Sequence, residues 1–511
     1  MSGRRIVFSF LVLALVWFGT LGIRPLYKAD ESRYGEISRE MVASGDWVTP
    51  RLNGFKYFEK PPLQYWTTAA FFEVLGERDW VARLWTALAG FAGIVLVLVA
   101  GNRLFGKPAG YYAALVLAGS PLYVLMGQVN TLDMGVSVFL SAAVIAFLLG
   151  HMLWFWAACA LAVLSKGLIG IVLPGAAILV YMFIKRDWAL IRRMRMVPGV
   201  IVFLAITAPW FIAVSLANRE FLHFFFIQEH FQRFTTDMHH RVQPAWYFVP
   251  VLLAGMGPWL LPLGRAVVSA SRSRADAELF LLTWVVVVFA FFSASGSKLA
   301  PYILPIFPAL ALLIGREISQ RWMIVQAALT AVVAAAAAAL VPALLKNYPD
   351  YAVWLSVALG VLAGAAILAL FFQRHAVILL AIGGLLSTQI GLAGHRTISD
   401  RFSVASTLNA LHERPGPDVP VFAVDMYDHT LPWNLRRTVT MVAHRDELEL
   451  AIQWEPEKFV PDLASFARAW NAAPQAWAFV PAGKAEKLSS ELKIPFQVLA
   501  RGPQYAIVKK P

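Results

Sequence analysis

Long apolar stretches alternate with short polar ones over most of this chain. Runs of about 18 or more apolar residues recur, and only a lipid bilayer accommodates so many. At about 20 residues each, the pattern predicts about thirteen membrane spans. The weakest are residues 151–164 and the alanine-rich residues 324–340. The first, residues 6–20, lacks a signal-peptide cleavage site, and we interpret it as an uncleaved span.

Basic residues between the spans predict their orientation. Arg4 and Arg5 precede the first span and place the N-terminus in the cytoplasm. Because successive spans cross the membrane in opposite directions, the loop at residues 185–195 (KRDWALIRRMR) is also predicted to be cytoplasmic. This loop is the most basic stretch of the chain. Further basic residues fall on the same side: Arg103, Lys107, Arg265, Arg272, Arg274, Arg316, Arg321 and Arg374. We expect a multi-pass protein of a bacterial inner membrane whose last span leads outward, into the periplasm.

Two long loops are predicted on the outer side, at about residues 24–79 and 217–245. Within the first, residues 32–43 and 62–75 show the periodicity of amphipathic helices. Such helices lie in the membrane interface rather than crossing it. The second loop is aromatic and rich in histidine.

The tail from about residue 396 is more polar than the rest. Its apolar runs, residues 419–424, 476–480 and 505–508, alternate with charged or proline-containing stretches. This pattern predicts a small α/β domain outside the membrane. The predicted organisation is thus a membrane domain, residues 1–395, followed by a C-terminal domain, residues 396–511.

Composition agrees with this class. Of 511 residues, 59% are hydrophobic and 15% charged, and the mean hydropathy is +0.62. The net charge of +13 reflects basic inner loops, so we expect no nucleic-acid partner. The single cysteine, Cys159, lies inside an apolar run, which excludes a disulfide framework and a cysteine-based metal site.

Ionisable residues gather at the outer ends of the predicted spans, where they are costly and often functional. They are Asp30, Glu31, Glu59, Lys60, Asp133, Lys166, His239, His240, Arg241 and Lys298. Each also has an ordinary explanation. Lys166 and Lys298 are possible interfacial anchors, Asp133 a possible helix cap, Asp30 and Glu31 a favourable helix start, and the histidines solvated loop residues. Their convergence on one face favours a site.

Phosphate chemistry fits this set of groups. Lys60, Arg241 and Lys298 suit a phosphate diester and the charge that grows on it as it leaves. A carboxylate such as Asp30 suits orientation or deprotonation of an acceptor. Glu59 with a loop histidine suits a divalent cation, although the spacing is not a recognised metal signature.

Several contiguous motifs occur in the outer loops and at the outer ends of the spans. The first loop carries DESRYGEISREMVASGDW from Asp30 and RLNGFKYFEKPPL from Arg51. Further motifs are EHFQRF from Glu229, the pair His240-Arg241 before WYFVP, and GSKLAPYILP from Gly296. Together they resemble the aminoarabinose transferase family of C-type membrane glycosyltransferases, which are related to protein O-mannosyltransferases. The resemblance implies the C-type (GT-C) fold, 13 transmembrane helices and a periplasmic C-terminal domain.

The resemblance also implies roles for residues that match the motifs. Asp30 and Asp133 resemble the catalytic carboxylates. Glu31, Arg33 and Lys166 resemble substrate-binding residues, and Glu59, His239 and His240 resemble metal ligands. The residues that resemble a donor-phosphate site are Tyr57, Lys60, Arg241, Lys298 and Tyr302. The C-terminal half shows little motif-level similarity, so the donor site is better supported than the acceptor site.

The function implied is transfer of 4-amino-4-deoxy-L-arabinose, or a related sugar, from undecaprenyl phosphate to a lipid A phosphate. An added amino sugar would reduce the negative charge of lipopolysaccharide and weaken polymyxin binding. The same type of enzyme could act on core lipopolysaccharide, another envelope glycan or protein. A lipid-linked sugar transporter is disfavoured, because it would place ionisable groups near the bilayer midplane and show two matching halves.

Overall fold

A computed structural model describes residues 3–232 and 243–511. The chain divides into two compact units. The helical unit comprises Met1–Leu21, Glu59–Gln64 and Arg83–Gly394, and the sheet unit comprises Gly22–Phe58, Tyr65–Ala82 and His395–Pro511. The sequence analysis assigned the first outer loop to the membrane domain. In the structure, most of that loop belongs to the same compact unit as the C-terminal sheet.

The α-helices up to residue 217 are α1 (Gly3–Gly19), α2 (Asp30–Ser44), α3 (Leu63–Leu75), α4 (Asp79–Phe105), α5 (Lys107–Ala118), α6 (Pro121–Met126), α7 (Leu132–Leu148), α8 (Met152–Lys166), α9 (Ile169–Lys185), α10 (Leu190–Arg193) and α11 (Met196–Ala217). A π-helix follows at His223–Gln232.

The later α-helices are α12 (Phe248–Met256), α13 (Leu260–Arg272), α14 (Asp276–Ala294), α15 (Phe307–Glu317), α16 (Gln320–Leu344), α17 (Pro349–Phe371), α18 (Ala376–Gly394), α19 (Ala405–Asn409), α20 (Thr430–Leu435), α21 (Glu449–Trp454), α22 (Leu463–Ala472) and α23 (Ala485–Leu492). Short 3-10 helices occur at Ala245–Tyr247, Gly257–Trp259, Ala300–Ile306, Gln373–His375, His395–Arg401, Asp446–Leu448 and Pro456–Lys458.

Apolar helices dominate the helical unit. In the described ranges, eight helical segments are long and apolar enough to cross a membrane, and three shorter apolar helices, α7, α8 and α9, accompany them. The predicted weak span at residues 324–340 lies in α16, one of the eight. The polytopic helical class is therefore confirmed, whereas the count of about thirteen spans stays a prediction.

The sheet unit contains a hairpin and a six-stranded sheet. The hairpin pairs β1 (Arg51–Leu52) with β2 (Phe55–Lys56). The larger sheet has the order β5-β4-β3-β6-β8-β7. Its strands are β3 (Val421–Val424), β4 (Thr440–Val442), β5 (Phe459–Val460), β6 (Trp477–Pro481), β7 (Gln497–Arg501) and β8 (Tyr505–Lys509).

Both faces of this sheet are buried, because side chains that alternate along the strands pack against helices on either side. Strands β5, β4, β3 and β6 are parallel, and β8 and β7 add an antiparallel edge. Phe422 packs with α22 on one face, whereas Val421 packs with α19 and α20 on the other. Burial on two faces produces the continuous apolar runs seen in the sequence. The predicted C-terminal α/β domain is confirmed.

Helix α2 is polar yet mostly buried. Of its 15 residues, 11 are buried, and these include five charged side chains, Glu31, Arg33, Glu36, Arg39 and Glu40. Charged side chains are almost never buried unless they are paired. The prediction of a helix here is confirmed, but the helix belongs to the sheet unit and few of its residues are exposed. Helix α3 keeps the expected two-sided character, with Phe72 buried and Val74 exposed.

Candidate functional site

In the helical unit, three predicted site residues meet where α7 begins and α8 ends. Asp133 lies in the first turn of α7, and Lys166 is the last residue of α8. Gly167 follows with φ of 88°, a conformation that favours glycine, and so ends α8 at the lysine. Lys166 Nζ forms an ion pair with Asp133 Oδ1 and lies 4.9 Å from the ring centroid of Tyr302.

This arrangement decides between the alternatives left open for Asp133. The N-cap of α7 is Thr131, and no side chain caps this helix. Asp133 therefore is not a helix cap, and its carboxylate instead faces the Lys166 ammonium. Lys166 is correspondingly not a simple interfacial anchor, because its side chain is only 15% exposed and its charge is paired.

The segment that carries Glu59 and Lys60 belongs to the same unit. Lys60 Nζ donates to the backbone oxygen of Glu59 over 2.8 Å. Gln64 Nε2, a few residues later, donates to Asn130 Oδ1 over 2.7 Å. Asn130 stands three positions before Asp133. The buried Gln64–Asn130 bond thus ties this segment to the connection that leads into α7.

Lys298 is almost completely buried, 6% exposed, at the turn after α14. Its Nζ donates to the backbone oxygen of Ser295, which is in the same turn. A lysine ammonium has three N–H donors, so the bond to this carbonyl leaves further donors for an anion. Tyr302 lies in the 3-10 helix that follows, with its ring 5.2 Å from that of Phe292.

In the sheet unit, Asp30 is the exposed end of a buried ionic network. Arg33 Nη1 lies 3.0 Å from Asp30 Oδ1, and Arg33 Nη2 lies 2.5 Å from Glu447 Oε2. The other oxygen of Glu447 pairs with His429 Nε2. The Asp30 side chain is 43% exposed, whereas those of Arg33, Glu447 and His429 are 9%, 17% and 10% exposed. The buried Arg33 side chain thus fixes the position of the solvent-accessible Asp30 side chain.

Electrostatic interactions favour the charged forms of Glu447 and Arg33 in this network. Burial by itself opposes the ionisation of Glu447, but the charges and hydrogen bonds of His429 and Arg33 outweigh it and lower the pKa of Glu447 to about 2. Burial likewise opposes the charge on Arg33. Interactions with Tyr57, Glu447, Tyr34 and Asp30 outweigh burial and raise the pKa of Arg33 well above its usual value. Tyr57 therefore belongs electrostatically to the same group as Arg33 and Asp30.

Arg33 retains one unused donor in this setting. Its buried Nε has no hydrogen-bond partner among the described residues. A buried donor without an acceptor costs about 1–3 kcal/mol, so such groups in native proteins call for a ligand or a water. This observation fits the predicted role of Arg33 in binding a polar substrate.

Glu31, beside Asp30, is bound by another residue. Its two carboxylate oxygens pair with the two terminal nitrogens of Arg24, and Tyr27 N lies 3.3 Å from one of them. The Glu31 residue is only 3% exposed. Its carboxylate is therefore engaged in fixing the chain that enters α2.

Two carboxylates fix the hairpin that leads to Tyr57. Glu40 of α2 accepts hydrogen bonds from the backbone nitrogens of Asn53 and Gly54 at the hairpin tip. Glu455 accepts from Arg51 Nη1 over 3.0 Å and from Lys56 N over 2.9 Å. The strand that ends at Lys56 is thus bound on both sides, and Tyr57 follows directly.

Glu447, His429 and Glu455 were not predicted from the sequence. No local motif marks them, since their partners are far away along the chain. One signal was available for two of them. His429 and Glu447 follow the parallel strands β3 and β4, and the carboxyl ends of such strands are where α/β sheets bind their partners. Here the bound partner is the start of α2.

Three predicted residues, His239, His240 and Arg241, lie outside the described residues. Within residues 3–232 and 243–511, no group of three His, Cys, Asp or Glu side chains is arranged to hold a metal ion. Glu59 is described, but its expected histidine partners are not. The divalent cation therefore stays a proposal based on the motifs.

Comparison with known proteins places these residues in context. The model of the aminoarabinose transferase C-terminal domain matches residues 407–510, and that of dolichyl-phosphate-mannose-protein mannosyltransferase matches residues 59–212. The undecaprenyl phosphate-alpha-4-amino-4-deoxy-L-arabinose arabinosyl transferase of Aeromonas salmonicida is 35% identical over 320 residues, which are 60% of this chain and 58% of that protein. A second one, from Proteus mirabilis, is 35% identical over 61% of this chain and 59% of its own.

A solved structure is similar over nearly the whole length. ArnT from Cupriavidus metallidurans, crystallised with undecaprenyl phosphate, is 36% identical and superposes with a TM-score of 0.95. The match covers 99% of this chain and 98% of that chain. The sequence matches to the curated relatives span less, somewhat over half of their length. The likeness of the whole structure confirms the fold class that the motifs implied.

Proposed function

We propose that this chain, which belongs to the aminoarabinose transferase family of C-type membrane glycosyltransferases, transfers 4-amino-4-deoxy-L-arabinose or a related sugar from undecaprenyl phosphate to lipid A. The observation that carries the proposal is the likeness over nearly the whole chain to a protein crystallised with undecaprenyl phosphate. The inner membrane, with the reaction on the periplasmic side, is the compartment that the loop charges favour.

The reaction breaks one bond and forms another at the anomeric carbon of the sugar. The bond from that carbon to the carrier phosphate oxygen breaks, and its electron pair stays on the phosphate, which leaves as undecaprenyl phosphate. An acceptor oxygen forms the new bond from the opposite side, so the configuration inverts. The groups that help most are therefore those that stabilise the negative charge growing on the leaving phosphate.

We assign this stabilisation to Lys60, Tyr57, Tyr302, Lys298 and Arg241. Lysine and arginine contribute positive charge, and the tyrosine hydroxyls donate neutral hydrogen bonds. Support comes from the described members: Lys298 is buried, and the ring of Tyr302 lies against the Nζ of Lys166, which pairs with Asp133. We assign to that pair the positioning of Tyr302.

The role of Asp30 depends on the acceptor. A lipid A phosphate is already anionic and needs no base, so Asp30 would then orient the donor by binding the amino group of the sugar. With a hydroxyl acceptor, Asp30 would serve as the general base. In both cases its partial exposure leaves the Asp30 side chain accessible, and its contact with Arg33 fixes its orientation.

A divalent cation, if bound by Glu59 and the loop histidines, would supply further positive charge near the leaving phosphate. No step above depends on it. Core oligosaccharide, another envelope glycan and protein also carry acceptor oxygens, and they are the alternative acceptors to lipid A.

The test is mass spectrometry of lipid A from cells that contain the wild-type protein, the Asp30→Asn variant or no protein. We expect a mass gain of one pentosamine on a phosphate with the wild type and no gain with the variant. An unchanged lipid A would contradict the acceptor assignment, and the same cells would then be analysed for core sugars and glycoproteins. Full activity of Asp30→Asn would contradict the assignment of the site.

A further inference from the structure

A basic cavity lies in the helical unit, at the ends of the spans opposite to Lys298. The loops around it carry charges that predict a cytoplasmic location. It is open to the surface, has a volume of about 630 Å³ and is formed by α13, the end of α15 and the start of α16. Cavities of this size commonly bind small ligands or headgroups. The residues that line it include Arg265, Ser269, Arg272, Arg316, Glu317 and Trp322.

The spacing along α13 explains why the cavity is basic. Arg265, Ser269 and Arg272 recur at intervals of four and seven residues, which puts them on one face of the helix. Seven residues correspond to a separation of about 10 Å along the helix axis. The two arginines therefore stand at the two ends of the same wall, with the serine hydroxyl between them.

The carboxylates nearby are already engaged. Glu317 Oε1 accepts from Ser269 Oγ over 2.9 Å and lies 3.8 Å from Arg316. Arg316 itself forms a 2.6 Å ion pair with Glu278. Within the described part of the chain, Arg265 and Arg272 have no carboxylate within ion-pair distance. Three arginines (Arg265, Arg272 and Arg316) against two glutamates (Glu278 and Glu317) leave a net charge of +1 at the cavity. Its two cations on α13 are not paired directly with any carboxylate of the described residues.

Arg265 is also held in a suitable orientation. Its guanidinium lies 4.8 Å from the ring centroid of Trp322. An arginine held over an aromatic face keeps its in-plane N–H groups available, and these groups match the oxygens of a phosphate. A loop arginine that merely sets membrane orientation needs no such support.

Apolar surface continues from the cavity along α16. Val325, Leu329 and Val332 are exposed by 45%, 40% and 69%, and they follow Trp322 at intervals of three, seven and ten residues. These intervals place them on the same side of the helix. A phosphate in the cavity would therefore have a path for an attached acyl chain beside it, which a free phosphate does not need.

From these observations we propose that the cavity is a binding site for the phosphodiester headgroup of an anionic phospholipid, with Arg265 and Arg272 as its phosphate ligands. Basic pockets between transmembrane helices on the cytoplasmic side are suited to such headgroups. The proposal is independent of the glycosyltransfer reaction, because none of the assigned catalytic or donor-binding residues lines this cavity.

The first experiment uses the full chain in neutral detergent and measures lipid binding by native mass spectrometry. Phosphatidylglycerol should bind at least about 10-fold more tightly than phosphatidylcholine, since only the former carries net negative charge. Inorganic phosphate at millimolar concentration should displace little of it. Equal binding of the two lipids would overturn the proposal, and complete displacement by inorganic phosphate would show a free-phosphate site instead of a lipid site.

A pair of double variants separates this site from the general attraction of basic loops. Arg265→Gln/Arg272→Gln should weaken phosphatidylglycerol binding about 10-fold. The matched control, Arg274→Gln/Arg321→Gln, removes the same charge from neighbours that are likewise exposed but do not line the cavity, and should change binding less than about twofold. Equal losses in both would overturn the proposal. If the first variant fails to fold, the comparison of lipids on the wild type still decides.

Discussion

The two groups of ionisable residues differ in which member is exposed. In the sheet unit, the carboxylate of Asp30 is 43% exposed and rests on a buried network of Arg33, Glu447 and His429. In the helical unit, Asp133 and Lys166 are 11% and 15% exposed and pair directly with each other. An exposed carboxylate with a buried support is available to a substrate, whereas a mutually paired acid and base mainly fix their surroundings.

The comparison predicts that Asp30 matters for activity and little for stability. Asp30→Asn should reduce sugar transfer by about 100-fold or more, the scale of a lost acid–base or orienting group. Its free energy of unfolding should change by less than about 0.5 kcal/mol, as for other exposed positions. Transfer assays and thermal unfolding of the purified variant measure the two effects.

Asp446→Asn is the matched control for that experiment. Asp446 lies in the same unit, next to Glu447, and its side chain is 72% exposed. It should retain activity within about twofold, because surface substitutions of this kind have small effects. A comparable loss in both variants would mean that removing any negative charge there impairs transfer, and the distinction drawn for Asp30 would fail.

Glu447→Gln tests the buried support. The change leaves Arg33 without its main counter-charge, and breaking a buried pair by removing one partner costs about 3–5 kcal/mol. We expect a loss of stability toward the lower end of that range, with transfer about 10-fold lower because Asp30 loses its fixed position. Glu447→Asp, which keeps the charge, should recover part of the activity. A variant with normal stability and activity would contradict the role of Glu447.

The same network predicts a dependence on acidity. The pKa of Glu447 is about 2 in the folded protein, below its usual 4.5, so the folded state binds fewer protons than the unfolded state between these values. The contribution of Glu447 to the free energy of unfolding is therefore present above about pH 4.5 and is lost as the pH falls toward 2. In acid unfolding, Glu447→Gln should therefore show a shallower loss of stability in this range than the wild type. Parallel curves would contradict the assignment.

A double-mutant cycle on Asp133 and Lys166 tests the mutual pair. Asp133→Asn and Lys166→Met should each destabilise the protein, because each leaves the other charge without its partner. The double variant should be more stable than the sum of the two losses predicts, by about 1–3 kcal/mol, the usual range for residues in direct contact. Strict additivity would show that the ion pair contributes nothing.

The smallest expected effect concerns the hairpin before Tyr57. Burial and the neighbouring Glu36 raise the pKa of Glu40 from its usual 4.5 to about 8. The folded state then binds more protons than the unfolded one, so stability is greatest below about pH 4.5 and falls as the pH rises through 8. The melting temperature should be lower at pH 9 than at pH 6, by about 2–4 °C. In Glu40→Gln, this difference should disappear.

Local patterns predicted much of the secondary structure. Residues 32–43 and 62–75 were expected to be helical, and α2 and α3 occupy these stretches. The apolar runs in the tail became β3, β6 and β8. These predictions succeed because the signal lies within each segment: helices repeat every 3.6 residues, and strands buried on two faces are continuously apolar.

Two features of the candidate site were not predictable in this way. Glu447 was overlooked because its partner, Arg33, belongs to another part of the chain, and no periodicity links them. The burial of α2 was overlooked because its composition is that of an exposed helix. The burial of these five ionisable residues requires ion pairs and, for Glu40, hydrogen bonds from backbone N–H groups. Both depend on what packs around the helix.

The sequence by itself thus determined the membrane class, the helices of the first loop, the C-terminal α/β domain and the candidate residues from Asp30 to Tyr302. Hydrophobicity and periodicity are local properties, and the motifs are contiguous. The tertiary structure decided which charges meet: Asp133 with Lys166, Arg33 with Glu447, and Arg51 with Glu455 across 404 positions of sequence. Ion pairs act through space over a few ångströms, so only the folded chain specifies them.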